Sequence, residues 1–316
     1  MHSHSGQFCP GHAKDTLESI IQHAISIGYK TIGLTEHMPR TSVSDLYPEE
    51  FAEAPTPEAV LALQPPRHEA YLAEAIRLRE KYSSQITILI GFEGEWIRPE
   101  DYSPLIQSLS GRADYFIGSL HHTLTIPIDY DRTMYLQAVC AAAKHRGLPV
   151  PSEGESSDEA EEALFEIYFD EQFSLLSTMR PKVIGHFDLI RLFSSSPGRN
   201  LTSWPGVWRR IERNLALIKS YDGWLECNTS ALRKGLEEPY PKREIAEAWT
   251  RMGGKWTFSD DSHGIGQVAT NYLRGLKYLQ AIGVGEVWTF GRGEDGKLVE
   301  RGVEIEEFRG SLRLGE

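Results

Sequence analysis

The sequence predicts an α/β fold in which the main strands run parallel. Short runs of β-branched and aromatic residues alternate with amphipathic stretches along most of the 316 residues. A strand, a helix and a second strand in succession favour parallel pairing with a crossover helix. No linker divides the chain, so we expect a single domain over residues 1–316. In a parallel barrel, the polar residues at the strand ends would share one mouth.

Seven segments are short, rich in β-branched and aromatic residues, and often flanked by glycine, as strands are. The predicted strands are Lys30–Thr35, Ile86–Phe92, Tyr115–Leu120, Val183–His186, Gly223–Cys227, Lys255–Ser259 and Glu286–Phe290. Six further segments place apolar residues at helical spacing, for example Leu17, Ile20 and Ala24 in the first of them. The predicted helices are Asp15–Ile27, Arg67–Tyr82, Glu161–Met179, Trp204–Ser220, Pro241–Met252 and Val268–Ile282.

Two segments interrupt this alternation. Residues 42–66 are rich in proline and acidic residues, and residues 147–161 are short, acidic and rich in serine. Segments of this composition bury little apolar surface and seldom form packed elements of their own. We therefore expect both to be surface insertions in the domain.

The composition excludes several classes of protein. A net charge of −12, from 33 basic and 45 acidic residues, argues against a nucleic-acid partner. The apolar runs are far shorter than the roughly 20 residues that cross a bilayer, and no signal segment opens the sequence. Three cysteines do not make a disulfide framework. We expect a cytoplasmic protein with no membrane partner, in which metal ions or arginines could still attract a small anionic substrate.

Histidines are concentrated where the predicted strands begin or end. Seven of the 11 lie at such positions, namely His2, His4, His37, His121, His122, His186 and His263. Residues two apart on a strand share a face, so the imidazoles of His2 and His4 can reach one ion. Each histidine alone could equally belong to a disordered tail or be hydrogen-bonded at the surface, and an acidic residue such as Asp260 could cap a helix. Their number together favours a metal site.

Seven short motifs, in the same order along the chain, resemble those of the polymerase and histidinol phosphatase (PHP) family of metal-dependent phosphoesterases. The resemblance runs from His2 to about Ile282 and is greatest to the histidinol-phosphate phosphatase branch in its fungal form. Thr35–Arg40 and Asn228–Lys234 are the segments that indicate this branch. The seven motifs are His2–His4 with Cys9–His12, Leu34–Arg40, Gly91–Glu93, Gly118–His121, Gly185–Arg191, Glu226–Lys234 and Ser259–His263.

The resemblance implies a distorted TIM-like (β/α)7 barrel of the PHP type. It also implies two or three divalent metal ions, either zinc, manganese or iron, at the mouth of the barrel. The three sets of ligands would be His2, His4, Glu93 and Asp261; Glu93, His121 and His186; and His12, His37 and His263. Only Met1 precedes the first histidine pair, so either the first strand of the barrel is very short or the true start of the protein lies upstream.

The activity that the resemblance implies is hydrolysis of L-histidinol phosphate, a small phosphorylated metabolite of histidine biosynthesis. Two ions that share Glu93 would lower the pKa of a bridging water, and the resulting hydroxide would attack phosphorus. Asp261 or His263 would relay a proton to the leaving alkoxide. Arginine suits the phosphate because it donates two parallel hydrogen bonds. The expected substrate-binding residues are Arg191, Arg233, Arg40, His122 and Asp188, with Glu95 and Glu226 as further candidate acceptors. Each arginine could instead form a salt bridge at the rim of the site.

Three other functions stay open at this point. A phosphoesterase of the same family could act on another phosphomonoester, such as a nucleotide end or a phosphotyrosine peptide. A metal-dependent amidohydrolase also uses a His-x-His strand, but the lysine expected at one of its strand ends is missing here. A non-catalytic regulatory protein on a decayed enzyme scaffold is disfavoured, because all nine expected metal ligands are present.

Overall fold

The structure is a computed structural model that describes residues 1–293 and 295–313. The strands are β1 (Thr31–Leu34), β2 (Thr87–Gly94), β3 (Tyr115–Gly118), β4 (His122–Thr123), β5 (Ile126–Pro127), β6 (Val183–Ile184), β7 (Trp224–Asn228), β8 (Lys255–Ser259), β9 (Glu286–Arg292) and β10 (Leu298–Glu304). The helices are α1 (Leu17–Ser26), α2 (Pro57–Lys81), α3 (Pro99–Ser110), α4 (Arg132–Arg146), α5 (Asp158–Met179), α6 (Pro205–Ser220), α7 (Ser230–Arg233), α8 (Arg243–Arg251), α9 (Tyr272–Ala281) and α10 (Ile305–Ser311). None of these described helices has the length and apolar composition that crossing a membrane requires.

Six parallel strands form a curved sheet in the order β1-β2-β3-β6-β7-β8. Residues 1–4 lie between its two edge strands and close it. The His4 amide donates to the Ser262 carbonyl over 2.8 Å, and the Thr35 amide donates to the Ser3 carbonyl over 3.1 Å. The first strand is as short as expected, with Ser3 and Ser262 forming a single bridge. The predicted α/β barrel of seven strands is thereby confirmed.

The predicted strand Glu286–Phe290 lies outside the barrel. It belongs to β9, which pairs antiparallel with β10 in a separate hairpin. The Phe290 ring packs on Trp224 with their ring centroids 4.6 Å apart, in a cluster that also contains Tyr115 and Met1. Because Tyr115 and Trp224 are the first residues of β3 and β7, the hairpin covers the amino end of the barrel and leaves the carboxyl end free for a site.

Helix α2 begins ten residues earlier than the sequence predicts, at Pro57. The Thr56 side chain caps it by accepting a hydrogen bond from the third residue of the helix. Pro65–Pro66 lies inside the helix, although proline removes a backbone donor and normally breaks a helix. The residues before the proline pair are held in place by packing, since Val60 is completely buried, and this tertiary contact overrides the local signal.

Helices α3 and α4 are absent from the sequence prediction. Asp131 caps α4 by accepting from the Met134 amide, and Gly147 ends it in the left-handed conformation with a φ of 67°. Alanine fills much of the buried face of α4, as at Ala138 and Ala142. The large apolar residues that mark an amphipathic helix are therefore few, and the periodicity is weak.

Neither acidic segment is simply a surface insertion. The second half of residues 42–66 is the start of α2, and the first half contains the buried Asp45. Residues 147–161 form an exposed loop that ends in the first turn of α5, where Glu161 is buried and accepts a hydrogen bond from the Ser195 amide over 2.8 Å. Acidic composition predicts exposure, but a carboxylate can be buried where hydrogen bonds replace its water.

Candidate metal centre

The carboxyl ends of the barrel strands open onto a cavity of about 350 Å³. This volume lies in the range of small-molecule sites. The ends of β1, β2, β3, β6 and β8 and the residues that follow them supply His37, Glu93, His121, His186 and Asp261 to its wall. Because parallel strands all end at the same face of the barrel, residues that are far apart in the sequence meet there.

His2, His4, Glu93 and Asp261 form one group, in which the potential ligand atoms lie within 4.8 Å of one another. Glu93 Oε2 is 3.2 Å from His2 Nε2 and 3.3 Å from His4 Nε2. Asp261 Oδ1 is 3.4 Å from each of the same two nitrogen atoms. All four side chains are buried. The structure thus brings together the first predicted set of ligands around one point.

The second carboxylate oxygen of Glu93 faces a different pair of histidines. Its Oε1 is 3.0 Å from His186 Nε2 and 3.2 Å from His121 Nε2. The Ser119 hydroxyl donates to the same oxygen over 2.6 Å. These three residues, Glu93, His121 and His186, are the second predicted set. One carboxylate therefore lies between two groups of imidazoles, which is the geometry of a bridging ligand.

His37 and His263 converge with His4 in a third group. His12, which the sequence places with them, is outside that group, but its ring centroid is 4.6 Å from that of His263. His12 Nδ1 lies 3.1 Å from Glu49 Oε1, and its side chain is 43% exposed. A carboxylate on one ring nitrogen is typical of a histidine whose other nitrogen binds metal. His12 accordingly stands at the outer edge of the third group.

Several polar atoms of these groups are buried without a hydrogen-bond partner among the described residues. They are His2 Nε2, both ring nitrogens of His4, His37 Nδ1, Asp261 Oδ1 and His263 Nε2. Buried atoms in this state are costly and uncommon in proteins. Imidazole nitrogens and carboxylate oxygens are ligands that divalent transition metals accept. The residues of the site therefore fit divalent metal ions.

The acids and imidazoles of the site shift one another's pKa values. Burial disfavours the charged form of His4, yet the neighbouring carboxylates of Asp261 and Glu93 raise its pKa to about 9. Burial also opposes ionisation of Glu93, but the imidazoles of His2 and His121 hold its pKa well below the ordinary value. In the metal-free protein, protons on the imidazoles balance the carboxylates. A divalent ion would supply the same positive charge and displace those protons.

Glu226 lies behind the first group and acts on His2. Its Oε1 is 3.0 Å from His2 Nδ1 and accepts from the Ser259 hydroxyl over 2.5 Å. Its Oε2 accepts from the His186 amide and from Asn228 Nδ2, each over 2.9 Å. Both of its oxygens are engaged by the protein, and a hydrogen bond from the substrate to Glu226 stays a prediction that these contacts do not require. Glu226 orients His2 so that Nε2 faces the acids of the site.

Glu95 has a similar relation to His121. It is fully buried, and its Oε1 is 2.6 Å from Arg40 Nη1 and 3.0 Å from His121 Nδ1. His122 lies on the other side, with its Nδ1 3.9 Å from Glu95 Oε2. Arg40 and His121 line the cavity, whereas His122 and Glu95 are absent from the described wall. The chain turns after β3, so His121 reaches the site while His122 packs behind it.

Arg233, Arg191 and Asp188, all predicted to bind substrate, are also absent from the described cavity wall. Arg233 donates to the carbonyls of Asp260 and Asp261 over 2.9 and 3.0 Å. Arg191 donates to Asp188 Oδ2 over 2.9 Å and to two carbonyls of the loop that precedes α8. In this structure the two arginines hold loops in place, and a direct role of the three residues in substrate binding stays a prediction. For Arg233, the loop that it holds carries a ligand.

The cavity wall includes residues that the sequence analysis did not identify. They include Phe8, Glu36, Tyr47, Glu49, Glu50, Glu53, Gln64, Arg67, His68, Tyr71, Asp129, Tyr130 and Lys234. Glu36 and Lys234 lie inside the family motifs, next to His37 and Arg233. Their position in the motifs could have indicated that they belong to the site. For Glu49, Glu50 and Glu53, the sequence offered only the acidic composition of residues 42–66, which is equally typical of an exposed loop.

Proteins with similar sequences are known. A family model described as "PHP domain" matches residues 1–230. The "Probable histidinol-phosphatase" of Schizosaccharomyces pombe is 41% identical over 302 residues, which cover 93% of this chain and 90% of the relative. The "Histidinol-phosphatase" of Saccharomyces cerevisiae is 30% identical over 306 residues, which cover 88% of this chain and 87% of the relative.

A solved structure with a similar fold is the histidinol phosphate phosphatase of Lactococcus lactis, crystallised in complex with zinc, L-histidinol and phosphate. The TM-score is 0.62 at 18% sequence identity, and the match covers 92% of this chain and 95% of the other. At this identity the similarity concerns the fold, and it agrees with the barrel described above.

Proposed function

The chain belongs to the PHP domain family, and from this membership we propose that it is a histidinol-phosphatase, an enzyme that hydrolyses L-histidinol phosphate to L-histidinol and phosphate. The observation that carries the proposal is the convergence of three groups of histidine and acidic side chains on one cavity, with Glu93 shared by two of them. The names of the two fungal relatives support the choice of substrate. The partner is then a small phosphorylated metabolite, and a biosynthetic role fits a cytoplasmic location.

We assign two or three divalent ions to the site. Glu93 would bridge two of them, one with His2, His4 and Asp261 and the other with His121 and His186. The third would be held by His37, His263 and His12. The zinc in the Lactococcus structure favours zinc, although manganese and iron accept the same nitrogen and oxygen ligands.

Metal ions in such a site activate water and neutralise charge on a phosphoryl group. Glu93 keeps the two ligand groups next to each other. His263 Nδ1 lies 2.9 Å from the Asp261 carbonyl, so we assign its proton to Nδ1 and leave Nε2 to bind metal. Burial opposes ionisation of Asp261, but His2 and His4 hold its pKa well below the ordinary value. Both residues therefore serve as ligands, and we assign protonation of the leaving alkoxide to solvent.

Two cations of the cavity wall are the candidates for holding the phosphate. Arg40 is buried and held by an ion pair with Glu95. Its guanidinium carbon also lies 5.0 Å from the centroid of the Tyr47 ring. Lys234 is exposed at the rim. A fixed guanidinium orients a phosphate through paired hydrogen bonds, whereas a mobile ammonium contributes a point charge. We assign the orienting role to Arg40.

Phosphate release from a panel of monoesters tests the proposed function. The value of kcat/KM for L-histidinol phosphate should exceed those for p-nitrophenyl phosphate, phosphotyrosine and nucleoside monophosphates by at least about 100-fold. Chelation should abolish turnover, and zinc or manganese should restore it. A preference for another monoester would contradict the substrate. A metal-loaded protein that hydrolyses none of them would contradict the enzymatic function.

Glu93→Gln tests the assignment of the bridging ligand. Removing its charge leaves two groups of imidazoles without the shared carboxylate, so bound metal and turnover should both fall by more than about 100-fold. The matched control is Glu307→Gln, because Glu307 is an exposed glutamate of α10. An active Glu93→Gln protein with normal metal content would contradict the assignment.

A further inference from the structure

One wall of the cavity carries aromatic side chains rather than metal ligands. Phe8 comes from the first loop, Glu36 follows β1, and His68 and Tyr71 come from α2. The ring centroids of Phe8 and His68 each lie 5.7 Å from that of Tyr71. The Tyr71 hydroxyl donates to the Leu34 carbonyl over 2.8 Å, which fixes the ring near the end of β1. We call Phe8, Glu36, His68 and Tyr71 the aromatic chamber.

Two polar atoms of the aromatic chamber are buried without a hydrogen-bond partner in the part of the chain that the structure describes. Glu36 is 2% exposed, and its Oε1 accepts from the Ser5 amide and hydroxyl over 2.9 and 2.5 Å, but its Oε2 accepts from no residue. His68 is 6% exposed, and its Nδ1 has no partner. Buried polar atoms usually find a partner. These two atoms lie in a cavity wall, where a ligand can supply one.

Two other glutamates of the same wall, Glu50 and Glu53, differ from Glu36 because the protein supplies partners for their oxygens, whereas Glu49 Oε2 near His12 also has no partner among the described residues. Glu53 Oε2 is 2.5 Å from Arg67 Nη2. Glu50 Oε1 accepts from Gln64 Nε2 over 2.8 Å. In these two pairs, a residue of the protein already provides the hydrogen-bond donor. Glu36 lies deeper and offers an acceptor to whatever enters the cavity.

The unpartnered atoms and the rings define the chemistry that the chamber accepts. Glu36 Oε2 is free to accept a hydrogen bond from a ligand. Burial lowers the pKa of His68 to about 4, so its ring is neutral and can donate one hydrogen bond or accept one. Phe8 and Tyr71 provide apolar surface and aromatic contacts. A planar ring with one N–H donor and one nitrogen acceptor satisfies all of these features.

We propose that the aromatic chamber binds the imidazole ring of the substrate while the metal groups bind its phosphate, an inference that rests on the proposed function. The ring N–H donates to Glu36 Oε2, and the other ring nitrogen accepts from His68 Nδ1. In L-histidinol phosphate, the imidazole and the phosphate stand at opposite ends of a short chain. Glu36 and the third-group histidine His37 both line the same cavity, so a ring at Glu36 leaves the phosphate in the cavity that the metal groups face.

His68→Phe is the principal test, because it keeps an aromatic ring and removes both nitrogen atoms. The value of kcat/KM for L-histidinol phosphate should fall by about tenfold, the effect of one lost hydrogen bond. The value of kcat/KM for p-nitrophenyl phosphate should stay unchanged, and so should the metal content. L-histidinol should also become a weaker competitive inhibitor of p-nitrophenyl phosphate hydrolysis, which reports binding without turnover of the natural substrate. His145→Phe is the matched control, because His145 is exposed on α4.

Two further measurements guard against a structural effect. His68→Asn places an amide near the position of Nδ1, and it should retain more of the preference for L-histidinol phosphate than His68→Phe does. O-phosphoethanolamine carries the phosphate and the ammonium group but no ring, so its hydrolysis should be unaffected by His68→Phe.

The outcomes separate this inference from the function on which it rests. Equal losses with L-histidinol phosphate, p-nitrophenyl phosphate and O-phosphoethanolamine, or no loss with any of them, would overturn the assignment of the ring. A loss shared by L-histidinol phosphate and O-phosphoethanolamine alone would place the ammonium group in the chamber and overturn it as well. A wild-type protein without any preference for L-histidinol phosphate would contradict the proposed function itself.

Discussion

At the scale of single residues, Glu226 illustrates how a buried acid prepares a metal ligand. Its two oxygens face four nitrogen or oxygen groups, one of which is His2 Nδ1. This contact fixes the ring so that Nε2 points to Glu93 and Asp261, 3.2 and 3.4 Å away. A histidine held in this way needs no rearrangement when metal binds.

We expect Glu226→Gln to weaken zinc binding by about 10- to 100-fold. The amide nitrogen of glutamine would face groups that themselves donate, so at least one buried donor would lose its partner. Competition with a chromogenic chelator measures the affinity for zinc. Glu306→Gln, at an exposed position of α10, is the control. An affinity equal to that of the wild type would contradict the orienting role of Glu226.

Arg233 acts through the backbone of a ligand. It donates to the carbonyls of Asp260 and Asp261, and Asp261 has a positive φ of 49°. Side chains other than glycine seldom adopt this conformation, and surrounding contacts must hold it. The arginine is part of what keeps Asp261 directed at the histidines.

We expect Arg233→Ala to lower metal content and kcat by about tenfold or more, with little change in KM for L-histidinol phosphate. Arg233→Lys should recover part of the loss, because a lysine can still donate to one of the carbonyls. Metal analysis and steady-state kinetics measure both effects. The reverse pattern, a raised KM with full metal content, would return Arg233 to the phosphate-binding role that the sequence suggests.

At the scale of elements, local pattern predicts some parts of the chain well and others poorly. The run Ile86–Phe92 predicts β2 because its residues are apolar and β-branched, as in a strand buried on both faces. Helix α4 escapes prediction because alanine occupies its buried face. In α2, Pro65–Pro66 suggests a break that packing of the preceding turn prevents.

The two acidic segments show that composition does not determine an element's position. The segment around Glu49 and Glu50 lines the cavity, whereas residues 151–156 lie in an exposed loop between α4 and α5. Both are rich in acidic residues, and the sequence analysis assigned both to the surface. The difference depends on where the flanking elements end, one at the mouth of the barrel and the other on its outside.

Exchanging each segment for an equal number of glycine and serine residues tests this difference. Replacing Pro151–Ser156 should leave kcat/KM for L-histidinol phosphate within about twofold, because an exposed loop tolerates change. Replacing Pro48–Glu53 should lower it by more than about tenfold, since it removes glutamates from the cavity wall and a partner of His12. Circular dichroism verifies folding of both variants. Equal effects of the two replacements would contradict the assignment of these segments.

At the scale of the whole molecule, closure of the barrel and formation of the metal site are the same event. Residues 1–4 bond to the segments that follow β1 and β8, and this pairing carries His2 and His4 to Glu93 and Asp261. Metal ions that bind these four side chains would therefore also hold the barrel shut. Binding to the folded state alone stabilises a protein by mass action.

Removal of metal should lower the midpoint of thermal unfolding by about 5 °C or more, given the size of the chain and a metal concentration well above Kd. The comparison is between protein dialysed against a chelator and the same protein resupplied with zinc, followed by circular dichroism. Glu93→Gln should show a much smaller difference, because it binds less metal. Identical midpoints for wild-type protein with and without zinc would contradict this coupling.

The sequence by itself determined the alternation of strands and helices, the barrel and the types and order of the candidate metal ligands. Periodicity and side-chain chemistry are local properties, so they can be read from neighbouring residues, and the family motifs extend them. Only the tertiary structure decided which polar side chains face the cavity. It placed Glu36 and His68 on the wall, and it turned Glu226, Asp188 and Arg233 towards the protein. Beyond a strand end, a side chain's direction depends on the path of the loop and on contacts with residues distant in sequence, which no local pattern encodes.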